Sequence, residues 1–201
     1  IHPFPTHPRI ELRVILQFLL LHSISCDIQS SVICMDKALA YTVVKNAGID
    51  VPDYQIIQNG DDSPKTERLV YPVFVKPARS GSSFGVNKVC REDDLDMAIN
   101  EARKYDSKIL IEQAIFGSEV GCAVLGDGTD LIVGEVDQIS LRHGFFKIHQ
   151  EAQPEKGSEN ATIKVPADIS IEIKKCIQET AKKIYLILGC SGLARIDLFL
   201  Q

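Results

Sequence analysis

The segment 76–86, KPARSGSSFGV, behind the apolar run 73–75, constrains this chain more than any other. A strand delivers a lysine, and small residues then strip side chains away from the backbone. Gly81 and Gly85 can take backbone angles closed to other residues, while Ser80, Ser82 and Ser83 add hydroxyl donors beside free N–H groups; the composition suits an anion. Lys76 and Arg79 add positive charge. The same residues would also serve an ordinary β-hairpin turn. The segment is not a Walker A loop, because the lysine precedes the glycines and no G-x-x-x-x-G-K-[ST] occurs. The choice between anion loop and turn rests on the rest of the chain.

A length of 201 residues allows one large domain or two small ones, and 45% hydrophobic with 24% charged residues suits a globular core. The formal net charge of -5 argues against a nucleic-acid or anionic-membrane partner, so a bound anion must be met by local positive charge. Six cysteines (Cys26, Cys34, Cys90, Cys122, Cys176 and Cys190) lie without C-x-x-C pairing, mostly in apolar surroundings. They read as reduced, buried thiols of a cytosolic protein, not as a disulfide framework or zinc site.

Residues 1–25 differ in character from the remainder of the chain. Three prolines and three histidines fall in the first 22 residues, with a mostly hydrophobic run over 14–21 that is shorter than the roughly 20 residues a bilayer span takes. Arg9 and Arg13 before that run make a signal peptide conceivable; a truncated or altered segment is the preferred reading. From Cys26 the register is regular. The pattern predicts a helix over 35–47 ending at Gly48, a strand over 51–57, a polar loop over 58–67, and a strand over 73–76 whose antiparallel partner is 86–90. Residues 91–105 predict an amphipathic helix with Leu95, Ala98, Ile99 and Ala102 on one stripe. Strands are expected over 108–113, 120–125 and 131–139, then a long polar loop over 140–161, a helix over 170–188 and a strand over 193–200. This order implies an α+β fold of antiparallel sheets packed with helices, not a doubly wound parallel one.

Several residues could carry chemistry. Glu112 and Glu119 flank a hydrophobic bend where carboxylates could hydrogen-bond a base and a ribose while Ile115 covers the ring; they could equally be solvated strand-end glutamates. Arg195 and Asp197 alternate with apolar residues and so share one strand face, either as a structural ion pair or around a ligand; an aspartate on a rigid strand suits Mg²⁺. The 140–161 loop holds His143 and His149, which could change charge near neutral pH or simply be exposed.

Taken in order, CDIQSSVICMDK, YPVFVKPARSGSSFGV, KILIEQAIFGSEVGCAVLG, VGEVDQISL, FFKIHQE, EKGSEN and GLARIDLFLQ resemble the ATP-grasp family of D-alanine:D-alanine ligases. More closely they resemble its vancomycin-resistance branch, which makes D-alanyl-D-lactate; the resemblance runs over 26–201. It implies a cytoplasmic enzyme of peptidoglycan precursor synthesis that holds ATP between two antiparallel sheets, phosphorylates D-alanine and passes the acyl group to D-lactate. The same enzyme using D-alanine or D-serine as second substrate is the near alternative, and a non-catalytic ATP-binding fragment the alternative of another class. By this resemblance Lys37 and Lys76 contact phosphates, Lys76 also lies close to the base, and Gly81, Ser82, Ser83 and Gly85 close over the transferring phosphoryl group. Glu112, Gln113 and Ile115 become adenine contacts, Glu119 the ribose ligand, and Phe199 a neighbour of the base. Arg195 would stabilise the oxyanion, Asp197 would bind one of two Mg²⁺ ions, and His149 would select D-lactate by repelling the ammonium of D-alanine.

The resemblance further implies a homodimer at full length, with small-molecule partners and neither nucleic acid nor membrane. It divides the chain into an atypical segment 1–25, a central ATP-grasp subdomain 26–106 and a second subdomain 107–201. That second subdomain is expected to be truncated before its last metal-binding strand. The first-substrate domain is also missing from the match, so the reading expects an internal fragment, with a frame-shifted start and little activity of its own.

Overall fold

The structure, a computed structural model, describes residues 26–58, 64–81, 83–128, 130–141 and 160–201. Two four-stranded antiparallel sheets dominate it. The first has the order β1–β4–β2–β3, from β1 (Tyr54–Ile57), β2 (Val73–Pro77), β3 (Asn87–Val89) and β4 (Ile109–Gln113). The second has the order β7–β6–β5–β8, from β5 (Ser118–Gly126), β6 (Leu131–Leu141), β7 (Ala161–Lys164) and β8 (Gly192–Leu200). The chain passes between sheets at 114–117, so β4 belongs with the first sheet, whereas the sequence reading set the division at 106/107.

Each sheet buries one face. In the first, β2 alternates so that Val73, Val75 and Pro77 are buried, and Val73 and Val75 pack with Ile109, Ile111 and Val89 against α3 (Leu95–Ala102). The predicted stripe Leu95, Ala98, Ile99 and Ala102 is the face α3 buries. Fully burying a side chain such as Ile109 or Ile111 contributes about 1.5–3 kcal/mol. The helix is shorter than expected: the acidic residues Glu92–Asp94 form a 3₁₀ turn before it, and it ends at Ala102. In the second sheet Val120, Cys122, Val124, Val136 and Ile196 pack against Ile177, Ala181, Ile184 and Tyr185 of α4 (Ile171–Ile187). The Tyr185 hydroxyl donates to the carbonyls of Gly126, at 2.7 Å, and Gly192, at 2.6 Å, pinning α4 to the end of the β5–β8 pair.

The helix predicted over 35–47 is two helices, α1 (Ile28–Met35) and α2 (Lys37–Asn46). Asp36 separates them in an extended conformation, and its carboxylate accepts from the Leu39 N–H at 3.1 Å, capping α2. Lys108 holds the same carboxylate at 2.9 Å. A short side chain that competes for backbone N–H groups stops one helix and starts the next, which places Lys37 at the first position of α2. From there Ala38 packs on Ala78 and Leu110 of the first sheet, while Val44 enters the core of the second.

All six cysteines are free thiols, but burial is not general: Cys122 and Cys190 are buried, whereas Cys34, Cys90 and Cys176 are exposed.

Candidate nucleotide site

Residues directly opposite on antiparallel strands share a face, so the register Phe74↔Glu112 and Lys76↔Leu110 puts Lys76 and Glu112 on the side of the first sheet away from α3. Their ammonium and carboxylate are in contact, both largely buried. The other oxygen of Glu112 accepts from the Tyr41 hydroxyl at 2.9 Å, and the Lys76 ammonium stands 5.9 Å from the Tyr41 ring centroid. Burial, then the Glu112 charge, pushes the Tyr41 hydroxyl well above its ordinary range. Lys37, four residues before Tyr41 on α2, reaches the same area and donates to the carbonyls of Ser80 and, at 3.4 Å, Ala78. Burial, followed by the charge of Lys76, pulls its ammonium down to about 8. Two lysines forced together beside one glutamate form a site that gains from an arriving anion.

The loop over 78–86 follows β2 and leads into β3, so it is a hairpin connection as well as a candidate anion loop. Gly85 takes φ +70, and a Cβ there would lie 2.5 Å from the Tyr105 ring and 2.9 Å from Pro77. The left-handed residue nearer the tip is Ser83, at φ 59, and not Gly81, which has an ordinary φ and open space around it. Ser82 lies outside the described residues. Arg79 does not lend its charge outright, because Asp106 takes it: Nη2 meets Oδ1 at 2.5 Å and Nε meets Oδ2 at 3.1 Å. Asp106 also accepts from the backbone N–H groups of Arg79 and Lys108. Burial pushes its carboxyl up, and these bonds outweigh that and hold it below the ordinary carboxylate range. The pair fixes the base of the loop.

Gln113 turns to the opposite side of β4 from Glu112, pairing with Val73 and lining a cleft of about 640 Å³ with Leu69 and Val70. Ile115 is partly buried in the link between the sheets. On the second sheet the face away from α4 carries Glu119, opposite Phe199, and Gly121, whose partners are Asp197 on β8 and Asp137 on β6. Arg195 shares that face; its Nη2 lies 2.8 Å from Asp137 and 3.3 Å from Asp197. The ion-pair reading of Arg195 and Asp197 is therefore realised, with a third partner that the sequence reading missed. Asp197 is half exposed. Among the described residues no cluster of three or more His, Cys, Asp or Glu side chains could hold a metal. One carboxylate still fits Mg²⁺, which takes one or two carboxylates with phosphate oxygens. His149, the predicted selector of the second substrate, lies outside the described residues. Tyr41 was also missed, although its place one helical turn after Lys37 is a readable signal.

Among the described residues, no helix is long and apolar enough to cross a membrane. The family model described as D-ala D-ala ligase C-terminus matches residues 43–201. The vancomycin/teicoplanin A-type resistance protein VanA of Enterococcus faecium is 67% identical over 178 residues, covering 89% of this chain and 52% of the relative. A protein of Streptomyces coelicolor named for D-alanine–D-lactate ligase is 62% identical, over 89% of this chain and 51% of the relative. The crystal structure of the VanG D-Ala:D-Ser ligase from Enterococcus faecalis superposes with a TM-score of 0.80 at 41% identity, covering 94% of this chain and 55% of that one. The chain thus spans about half the length of the relatives it matches. Two antiparallel sheets with cationic residues on the faces turned away from α3 and α4, matched in both sequence and structure, place this chain in the D-alanine–D-alanine ligase C-terminal family, with its ATP-grasp fold.

Proposed function

We propose that this chain is the nucleotide-gripping part of an ATP-dependent ligase that joins D-alanine to D-lactate, making a modified peptidoglycan precursor that confers vancomycin resistance. The observation that carries the reading is the pair of sheet faces turned away from α3 and α4. One gathers Lys37, Lys76, Glu112 and Tyr41, and the other gathers Glu119, Arg195, Asp197 and Phe199. In the first step a carboxylate oxygen of D-alanine attacks the γ-phosphorus, and ADP leaves. In the second the D-lactate hydroxyl attacks the acyl carbon, giving up its proton, and inorganic phosphate leaves. Catalysis of this kind rests on positioning and on neutralising phosphate charge.

Lys37 and Lys76 supply charge for the phosphates, and the loop with Gly81, Ser82, Ser83 and Gly85 closes over the γ-phosphoryl group. Glu112, Ile115 and the Gln113 backbone line the adenine pocket, with Glu119 at the ribose and Phe199 beside the base. Asp197 would be a carboxylate ligand to one of two Mg²⁺ ions, which neutralise phosphate oxygens when bound. Arg195 meets the developing oxyanion. The whole enzyme is proposed to be a cytoplasmic homodimer acting on small-molecule substrates, with a central subdomain that runs from residue 26 through β4 and a second that begins after the link over 114–117.

The relative named for D-alanine–D-lactate ligase, at 62% identity, favours the depsipeptide over the D-serine product named for the 41%-identical structure. Product analysis of a full-length ligase carrying this sequence, with D-lactate and D-alanine in competition across a pH series around neutrality, tests the choice. Depsipeptide is expected to dominate at the lower pH, and His149→Tyr to shift the product toward dipeptide. An unchanged ratio in that variant removes the role given to His149, and dipeptide alone from the parent overturns the D-lactate reading.

A further inference from the structure

Gly121 is the middle of a three-strand row, with Asp137 beside it on β6 and Asp197 on β8. Arg195, two residues before Asp197 on the same face, lays its guanidinium across β5. A Cβ at position 121 would stand 2.3 Å from Nη2 and 2.6 Å from Nε, so the crossing exists because this position has no side chain. One nitrogen then serves two carboxylates, Asp137 at 2.8 Å and Asp197 at 3.3 Å. The nearer of the two is also the drier: the Asp137 side chain is 18% exposed against 48% for Asp197.

We propose that Asp137 is a positioning residue for acyl transfer, anchoring the Arg195 guanidinium over Gly121 when a cation draws on Asp197. The proposal rests on the ligase reading above. A guanidinium and a divalent cation compete for the same carboxylate and repel one another. If Asp197 were the sole anchor, binding the cation would release Arg195, whose side chain is 39% exposed and has solvent to turn into. Asp137 reaches the guanidinium from a different strand, on the far side of Gly121 from Asp197, so it keeps its grip while Asp197 is engaged elsewhere. A group that must meet a developing oxyanion cannot drift, since a displacement of about 1 Å costs on the order of 100-fold in rate.

Two arms test this. In the 201-residue chain labelled with ¹⁵N-arginine, rotation about the guanidinium Cζ–Nη bonds of Arg195 is read by NMR, with the signal assigned by its loss in Arg195→Lys. Rotation is expected to be slow in the parent and to speed up about tenfold in Asp137→Asn and Gly121→Ala, the second of which changes no charge. It is expected to be slowed again in Asp137→Glu and to stay slow in Asp197→Asn. The anchoring is overturned if Asp137→Asn leaves the rotation slow, or if Asp197→Asn is the variant that releases it. In a full-length ligase carrying this sequence, Asp137→Asn and Gly121→Ala are expected to lower kcat about 10- to 100-fold. The KM for ATP should stay within about threefold, and Asp137→Glu should recover most of the loss; an unchanged kcat, or an equal loss in ATP affinity, overturns the positioning role. A parent ligase with no turnover counts against the ligase reading instead, while the NMR arm still decides the anchor.

Discussion

Lys37 is an ammonium held against its own preference, and that makes its charge adjustable in an accessible pH range. Burial and the neighbouring Lys76 bring it from an ordinary value near 10.5 to about 8, with Glu112, Asp106 and Asp36 pulling the other way. The difference corresponds to about 3 kcal/mol disfavouring the charged form in the unliganded chain. A triphosphate reverses the balance, because its negative charge restores the proton. If binding requires protonated Lys37 and the bound value lies well above the assay range, affinity should fall about 30-fold between pH 7 and pH 9.5, approaching tenfold per pH unit at the upper end. Calorimetric titration of the chain with magnesium-ATP over that range reads the slope directly. Lys37→Met should bind about 10- to 100-fold more weakly at pH 7, the loss of one charge-assisted contact, and should lack the slope. Without ligand the sign is opposite. Between about pH 8 and 10.5 the unfolded chain binds more protons at this residue than the folded one, so its unfavourable contribution shrinks as pH rises. Lys37→Met should therefore be more stable than the parent at pH 7, by no more than about 3 kcal/mol less the bonds to Ala78 and Ser80, and the advantage should fade toward pH 10.5. A flat affinity profile in the parent, or the same slope in Lys37→Met, would refute the assignment of Lys37 to the phosphate.

The loop carries two further expected outcomes. Gly85→Ala, with φ +70 and a Cβ forced against Tyr105 and Pro77, should cost about 1–3 kcal/mol in urea unfolding, whereas Gly81→Ala, in open space, should fall within about 0.5 kcal/mol of the parent. Equal costs would show that the loop is not held as described. Asp106→Ala should cost about 2–3 kcal/mol at neutral pH, because it strands the Arg79 guanidinium and two backbone N–H donors. The Asp106 carboxyl is held below 3.8 in the folded chain, so its stabilisation is complete above that value and is lost as pH falls below it; the gap between parent and variant should close there.

What could be read from the sequence is what repeats at short range. The α3 stripe, the β2–β3 hairpin and the shared face of Arg195 and Asp197 all come from a period of 3.6 or 2, and the folded chain keeps them. What could not be read depends on partners far along the chain. Asp36 breaks a helix that propensity would continue, and the Lys108 that holds it comes 72 residues later. Arg79 looks like a phosphate ligand until Asp106 is folded against it. Composition marked Gly81 as the residue for an unusual backbone angle, yet the turn puts Ser83 there, since the demand is set by the geometry of the return strand and not by which residue meets it most easily. β7 escaped the sequence reading because it is a four-residue edge strand at the end of the polar stretch, and the alternation of Ala161 and Ile163 with Thr162 and Lys164 is too short to stand out.

On the proposed function, the two sheet faces turned away from α3 and α4 solve one electrostatic problem in the same way. A site for a polyanion must keep cations close together when empty, and each sheet does so by giving every cation an acceptor from another element: Glu112 for Lys76, the loop carbonyls for Lys37, Asp137 for Arg195. An arriving phosphate then exchanges one set of acceptors for another and does not strip a fully hydrated ammonium, which lowers the reorganisation needed at binding. The arrangement also explains why the acceptors differ in strength. Lys37, buried and crowded by Lys76 with only neutral carbonyls as acceptors, holds its proton weakly and so gains from the anion, while Arg195, held by a carboxylate on each side of Gly121, is the one whose position must outlast the ligand's arrival. If that division holds, neutralising Asp137 should disturb turnover more than ATP binding, and replacing Lys37 should do the reverse.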